Sequence, residues 1–259
     1  MAELTDLQLS LIALIFVWSG FVRSGLGFGG AVLSLPILLL IDDRPLLFLP
    51  IIGIQLLFFS GLTVALSYRK SNLRQQHQYE GGVDWRYLRF AMGVMIVPKM
   101  IGVMGLIVLP AHIMTGIIFT IVSVYAVSYL LNKPFRSQTP ALDVLFLALG
   151  GYVSGTSLIG APLIVAVVAT HVAAPQLRNT LFVLWFIMTV IKLSALLVVG
   201  IDMQLLHQLW LLPCAAVGHV LGLRFHELTL SSDSTLFYRI LGGVLLVVSF
   251  VGLWQAINY

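Results

Sequence analysis

Charged side chains are scarce in this sequence. Of its 259 residues, only 9% are Asp, Glu, Lys or Arg, whereas 59% are hydrophobic. An ordinary soluble domain has roughly a quarter charged residues, so this composition excludes a soluble globular protein. A helix that spans a bilayer needs about 20 mostly apolar residues, and the chain contains several such stretches between short polar segments. The sequence therefore predicts an all-α polytopic membrane protein.

Cysteines, metal-ligand clusters and catalytic groupings are lacking as well. The single cysteine, Cys214, excludes a disulfide framework within one chain. The six histidines have no cysteine or carboxylate at ligand spacing, which argues against a metal site, and we expect no cofactor. No nucleophile, base and orienting group stand together as an enzyme requires. The net charge of +4 is not gathered into a basic face, which argues against nucleic acid as a partner.

Two segments of the chain resemble each other. Residues 20–31 read GFVRSGLGFGGA and residues 150–161 read GGYVSGTSLIGA, so Ser-Gly and Gly-Ala recur at one register. Further along, PKMIG at 98–102 corresponds to GHVLG at 218–222. A duplication of this size sets the whole architecture. We expect one transmembrane domain over 1–259, with repeat halves at about 1–132 and 141–259.

Both halves have the same predicted order of elements. An apolar element interrupted by glycine and serine comes first, near 7–41 in one half and 141–174 in the other. Because glycine lets the backbone leave helical geometry, we expect each to be a hairpin of two half-length helices. Three regular spans follow in each half. They are predicted near 46–67, 86–108, 112–131, 179–200, 204–224 and 237–257.

Lysine and arginine are unevenly distributed among the loops. They cluster around the loop at 69–84, in the linker at 132–140 and around the last loop, whereas the turns at 109–112 and 200–202 have none. By the positive-inside rule the first group faces the cytoplasm. The regular spans of the two halves then cross in opposite directions. We therefore expect two inverted pseudo-symmetric halves, each a re-entrant Gly-broken hairpin plus three transmembrane helices.

Three lysine or arginine residues lie in apolar surroundings, whereas the others can be placed in loops or at the ends of spans. They are Arg23, Lys99 and Lys192, and no Asp or Glu needs to be placed at that depth. A cation at the bilayer centre costs at least ~2.5–3.5 kcal/mol, and an anionic substrate would supply the missing charge. The alternative is that the lysines snorkel to an interface, or that backbone carbonyls and water satisfy them.

The two Ser-Gly segments offer complementary chemistry. Inside a membrane, the N-terminus of a half-helix has unpaired N–H groups and a positive dipole end, which favour an anion, and nearby hydroxyls would add donors. His219 stands where the first half has Lys99 and offers a titratable contact; a core histidine satisfied by a neighbour is the alternative. Close helix packing is the alternative for the glycines, and we prefer it for Gly218 and Gly222. The predicted substrate-binding residues are Arg23, Ser24, Gly25, Gly27, Gly29, Lys99, Ser154, Gly155, Thr156, Ser157, Lys192 and His219.

Four short motifs resemble those of one known family. They are Ser24-Gly25-x-Gly27-Phe28-Gly29-Gly30-Ala31 with Pro36, Gly82-Val83-Asp84-Trp85-Arg86, Ser154-Gly155 to Gly160-Ala161-Pro162, and Arg178-Asn179-Thr180. These motifs and their order are similar to those of the sulfite exporter TauE/SafE family of membrane transporters. The length and the two-half layout of the chain are similar to that family as well. Thr156, Ser157 and Ile159 stand where that family has glycines.

The resemblance implies transport of sulfite, an organosulfonate or a related small organic anion, usually as export. We expect alternating access around a fixed anion site in a bacterial inner membrane, with the anion and the lipid bilayer as partners. An anion channel would suit the same cations and stays open as an alternative, as does, less favourably, a membrane enzyme or assembly factor. A homo-oligomer also stays open.

Overall fold

A computed structural model of the chain describes residues 4–26, 30–73, 82–133, 135–229 and 234–257. These ranges contain ten α-helices and no strand. Six of the helices, α1, α3, α4, α5, α8 and α9, contain a stretch long and apolar enough to cross a membrane. The helices are α1 (Asp6–Leu26), α2 (Gly30–Ile41), α3 (Pro45–Leu73), α4 (Trp85–Val108), α5 (Ala111–Leu130), α6 (Pro140–Ser157), α7 (Ala161–His171), α8 (Ala174–Val198), α9 (Leu205–Thr229) and α10 (Ser234–Ile257).

The six regular helices, α3, α4, α5, α8, α9 and α10, lie where the apolar stretches predict them. Their bounds differ from the predicted ones by a few residues, with the largest difference at the end of α3. That helix continues to Leu73, past the predicted end at 67, because residues 68–73 contain neither glycine nor proline to end it.

Each interrupted element is a pair of antiparallel helices. In the second, α6 and α7 are joined at their far ends by a 2.8 Å hydrogen bond between His171 Nε2 and Asp143 Oδ2. In the first, the side-chain amide of Gln8, near the start of α1, donates over 3.5 Å to the carbonyl oxygen of Ile41, the last residue of α2. The chain therefore turns back at each break, as predicted for a hairpin.

The arms of the hairpins are unequal, which corrects the expectation of two half-length helices. The first arms, α1 and α6, have 21 and 18 residues, whereas α2 and α7 have 12 and 11. Glycines inside the long arms do not end them, because they lie against another helix. A Cβ at Gly20 would collide with the carbonyl oxygen of Ala215, and a Cβ at Gly151 would lie 2.7 Å from the carbonyl oxygen of Met95. Close packing offsets the cost of about 1 kcal/mol for a glycine inside a helix.

The helices group into two compact units, and each unit combines elements of both sequence halves. The first unit holds residues 1–51, 108–134 and 203–259, and the second holds 52–107 and 135–202. The hairpin of the first half, α1–α2, therefore packs with α9, and that of the second half, α6–α7, packs with α4. Each hairpin lies against a helix from the other half of the sequence.

Candidate substrate site

Glycines bring α4 and α6 into close contact in the second unit. A Cβ at Gly155 would collide with the carbonyl oxygen of Lys99, and a Cβ at Gly102 would collide with the carbonyl oxygen of Tyr152. Each glycine therefore lies directly against the backbone of the other helix, as small residues allow between membrane helices. This contact fixes the position of Lys99 beside the last turn of α6.

Lys99 is completely buried at this contact. Its exposed fraction is 0%, and its Nζ donates a hydrogen bond of 3.0 Å to the Oγ of Ser154. An ammonium group has three donors, and buried polar groups in proteins are normally hydrogen-bonded. One hydroxyl therefore satisfies only part of the hydrogen-bonding capacity of Lys99.

Lys192, on α8 of the same unit, is a second buried cation. Its exposed fraction is also 0%, and its Nζ has no hydrogen-bond partner among the residues that the structure describes. Lys99 and Lys192 belong to the same compact unit. A snorkelling lysine would carry its ammonium group to the surface, so this burial disfavours that alternative. The second unit thus holds two buried amines.

The break between α6 and α7 lies beside this pair. Gly160 precedes α7, and a Cβ there would lie 3.1 Å from the amide nitrogen of Ser154, the residue that accepts from Lys99. Gly160 provides no side-chain cap for α7. Pro162 has no N–H, and the N–H of Ile164 donates to the carbonyl oxygen of Gly160, so Ala161 and Leu163 provide the N–H groups at this helix start. A helix N-terminus of this kind favours an anion.

Backbone and hydroxyl groups at the end of α6 have local partners. Leu158 takes a left-handed conformation with φ of 62°, and its N–H bonds to the carbonyl oxygen of Ser154. The hydroxyls of Thr156 and Ser157 both donate to the carbonyl oxygen of Val153, over 3.0 and 2.9 Å. In this conformation these two hydroxyl protons therefore point to the helix rather than to a ligand.

The first unit repeats the arrangement with other residues. A Cβ at Gly218 would collide with the carbonyl oxygen of Val17, and Gly222 lies as closely on the same helix, which confirms their predicted packing role. This contact between α9 and α1 brings His219 Nδ1 into a hydrogen bond with the Oγ of Ser24. The repeat makes Ser24 the counterpart of Ser154, and His219 that of Lys99.

Arg23 lies next to this serine, in the last turn of α1. It is buried, with 7% exposure. Gly30 is the first residue of α2, and a Cβ there would lie 3.1 Å from the Cβ of Arg23. In each unit, a residue of the long arm therefore lies beside the start of the short arm.

The predicted site residues fall into two groups. The second unit brings together Lys99, Lys192, Ser154, Gly155, Thr156 and Ser157, and the first unit contains Arg23, Ser24, Gly25 and His219. Gly27 and Gly29 lie outside the described residues. That Arg23, Lys99 and Lys192 hold one anion jointly stays a prediction.

Comparison with known proteins identifies the family. The family described as Sulfite exporter TauE/SafE matches residues 12–252, a range that includes the whole second hairpin and the first hairpin from residue 12 onward. The chain belongs to this family. Searches of the curated proteins and of the solved structures find no match. With six candidate spans, this TauE/SafE chain is a multi-pass membrane protein, as its composition predicts.

One polar cluster of this TauE/SafE protein was not predicted from the sequence. At the open end of the α6–α7 hairpin, His171 pairs with Asp143, and its ring stacks on Tyr87 with centroids 5.2 Å apart. Nearby, the Thr180 hydroxyl accepts from the backbone N–H of Asp84 over 3.0 Å. The pairing of Asp143 with His171 could have been predicted from their positions. They stand near the two ends of the interrupted element, and a hairpin brings its ends together.

The carboxyl group of Asp143 has a shifted pKa. It lies in the first turn of α6, which is not among the six candidate spans. Burial acts to raise the pKa of Asp143, but the polar side chains of Ser137 and His171 outweigh it and hold the pKa below its usual value. The ionised form of Asp143 is therefore the form that the folded hairpin favours.

Stability should depend on pH through this carboxylate. A carboxyl group with a lowered folded pKa stabilises the fold above its unfolded pKa, near 3.9, and this contribution is lost as pH falls through the lower folded value. At neutral pH we expect Asp143→Asn to destabilise the protein by about 1 kcal/mol, since its hydrogen bond with His171 is partly exposed. Unfolding midpoints in detergent should show this loss shrinking towards acid pH. Asp6→Asn, at an exposed site, is the control, and a loss independent of pH would contradict the assignment.

Proposed function

We propose that this TauE/SafE protein carries a small sulfur-containing anion, such as sulfite or an organosulfonate, out of the cell by alternating access. The observation that carries the proposal is the complete burial of Lys99 and Lys192 within one compact unit, with no carboxylate bonded to either among the described residues. Burial disfavours the charged form of an amine, whereas a bound anion favours it. A substrate oxyanion provides the negative charge that no described carboxylate brings to these two amines.

The chemistry of the second unit suits an oxyanion with several oxygen atoms. Lys99 and Lys192 offer ammonium donors, and the start of α7 offers backbone N–H groups beside Ser154. Charge-assisted hydrogen bonds of this type are about twice as strong as neutral ones. In the first unit, Arg23 near the start of α2 and His219 beside Ser24 form the counterpart, and a guanidinium can make two parallel bonds to an oxyanion.

Counterflow in proteoliposomes tests this function. Vesicles preloaded with unlabelled sulfite should take up labelled sulfite transiently above its equilibrium level, because a carrier exchanges one anion for another. We expect Lys192→Gln to abolish the overshoot, and Lys133→Gln, in the exposed linker, to retain it. A thermal-shift screen over sulfite, sulfate, thiosulfate, sulfonates and carboxylates identifies the preferred anion. Flux without overshoot would indicate a channel, and no flux of any of these anions would overturn the proposal.

We also propose that the two sequence halves are inverted in the membrane and that the whole chain, 1–259, acts as one transport domain. The asymmetry of Lys and Arg supports a cytoplasmic linker at 132–140 and an external turn at Asp202. In a Cys214→Ala background, a membrane-impermeant thiol reagent should label Asp202→Cys in intact cells, and Arg136→Cys only after permeabilisation. Labelling of position 136 in intact cells would contradict the inversion.

A further inference from the structure

The two units hold different basic residues against equivalent serines. In the second unit, Lys99 donates to Ser154 over 3.0 Å. In the first, His219 Nδ1 shares a hydrogen bond with Ser24 Oγ. The helix contacts are built alike, because the glycine three positions after each basic residue lies against a backbone carbonyl of the other helix. At these two equivalent contacts, the units therefore present different basic groups to the serine.

Lysine and histidine differ in how tightly they hold a proton. Their ordinary pKa values are about 10.4 and about 6.5, and histidine is the side chain whose charge ordinarily changes between about pH 5 and 8. A serine hydroxyl can both donate and accept. The bond between Ser24 and His219 can therefore form in either protonation state of the histidine. This property suits a group that gains and loses a proton during the transport cycle.

We propose that His219 is a proton-binding site, and that the anion is carried together with a proton on this histidine. The inference rests on the proposed function, because it names the coupling ion of the same transporter. The proton enters from the solvent on the side to which the site is open, and it leaves with the anion on the other side. A divalent anion such as sulfite then moves with one net negative charge, which an inside-negative membrane potential drives outward.

The charged groups around His219 favour this coupling. On α1, which packs against α9 here, Arg23 stands next to Ser24 and is buried. The short arm α2 packs on α1 and contains no titratable residue. On α9, the nearest titratable residues are Cys214 and Arg224, each five positions away. A proton on His219 adds positive charge near Arg23, and an anion relieves that repulsion. By linkage, the proton raises anion affinity by the factor by which the anion raises proton affinity.

A pH gradient across proteoliposomes tests the coupling. The probe is labelled methanesulfonate, whose sulfonate stays ionised, so that the gradient acts only through the protein. With the outside at about pH 6.5 and the inside at about pH 7.5, one proton per anion predicts accumulation of about tenfold over equal pH. We expect His219→Gln to lose this accumulation while its exchange at equal pH slows but remains measurable. His112→Gln, at an exposed position at the start of α5, should behave as the wild type does.

A second variant separates coupling from folding. His219→Lys places in the first unit the residue that the second unit has, and it should exchange anions without responding to the gradient. Gradient-driven accumulation in His219→Gln or His219→Lys equal to the wild type would overturn the inference, as would exchange without any gradient response in the wild type. Absence of both methanesulfonate and sulfite exchange in the wild type would overturn the proposed function instead. If the wild type exchanges sulfite but not methanesulfonate, the response to the pH gradient is measured with sulfite in the wild type and in both variants. The protonation of sulfite itself is the same in every sample, so a difference in response comes from the protein.

Discussion

Replacing Lys192 by methionine should make the anion-free protein more stable and the transporter inactive. The Nζ of Lys192 is buried and has no hydrogen-bond partner among the described residues. A lysine at membrane depth costs at least ~2.5–3.5 kcal/mol, and methionine fills a similar volume with a flexible apolar chain. We expect a gain in stability of about 1–3 kcal/mol. The lost charge-assisted bond should weaken anion binding by roughly 10- to 150-fold.

Two measurements on one purified sample separate these effects. The unfolding midpoint without an anion should rise in Lys192→Met, and the further rise that sulfite causes in the wild type should disappear. Lys133→Met is the matched control, because Lys133 is exposed in the linker and should change neither quantity. A Lys192→Met protein that is less stable without anion, yet binds sulfite as the wild type does, would show a structural role for this lysine.

Adding a single methyl group at Gly155 should disrupt both fold and site. In Gly155→Ala the new Cβ would collide with the carbonyl oxygen of Lys99 and lie 3.0 Å from the Cα of Gly102. Both neighbours are backbone atoms, so α4 and α6 must move apart. We expect a loss of about 1–3 kcal/mol from overpacking, and a longer or broken bond between Lys99 and Ser154, with loss of anion binding.

The control for this substitution lies on the same contact helix. Gly93 is within α4, and a Cβ there would meet no atom within 4 Å. Gly93→Ala should therefore be neutral or stabilising by up to about 1 kcal/mol, because alanine is the better helix former. Unfolding midpoints and anion-induced shifts check both variants. Equal stability of Gly155→Ala and the wild type would show that the helices separate without cost.

The regular spans were predictable because the membrane fixes their length. A bilayer requires about 20 apolar residues per crossing, so bounds such as Ala111–Leu130 follow from composition alone. The lengths of the hairpin arms did not follow in this way. Gly20 and Gly151 look like helix breakers in the sequence, but both lie inside helices against another backbone. Which glycine ends a helix and which one packs depends on the neighbouring helix, and that neighbour comes from the other half of the chain.

The candidate site, like the fold, was predictable only in part. Lys99 and Lys192 were predictable, because they lie in apolar stretches and not in loops or at the ends of spans. The hydroxyl bonds of Thr156 and Ser157 to the helix carbonyl were not predictable, because they depend on side-chain rotamers at a helix end. The pairing of Asp143 with His171 required knowing that the interrupted element folds back on itself.

The mixing of both halves within each unit has a consequence for biosynthesis. The long arm α1 is complete at Leu26, but α9, which covers Ser24 and packs along α1, begins only at Leu205. At roughly 5–20 residues per second, the ribosome supplies α9 about ten to forty seconds after α1. During this interval Ser24 lacks the contacts with His219 and Gly222 that it has in the finished protein. The final packing of the first hairpin therefore waits until nearly the whole chain has been made.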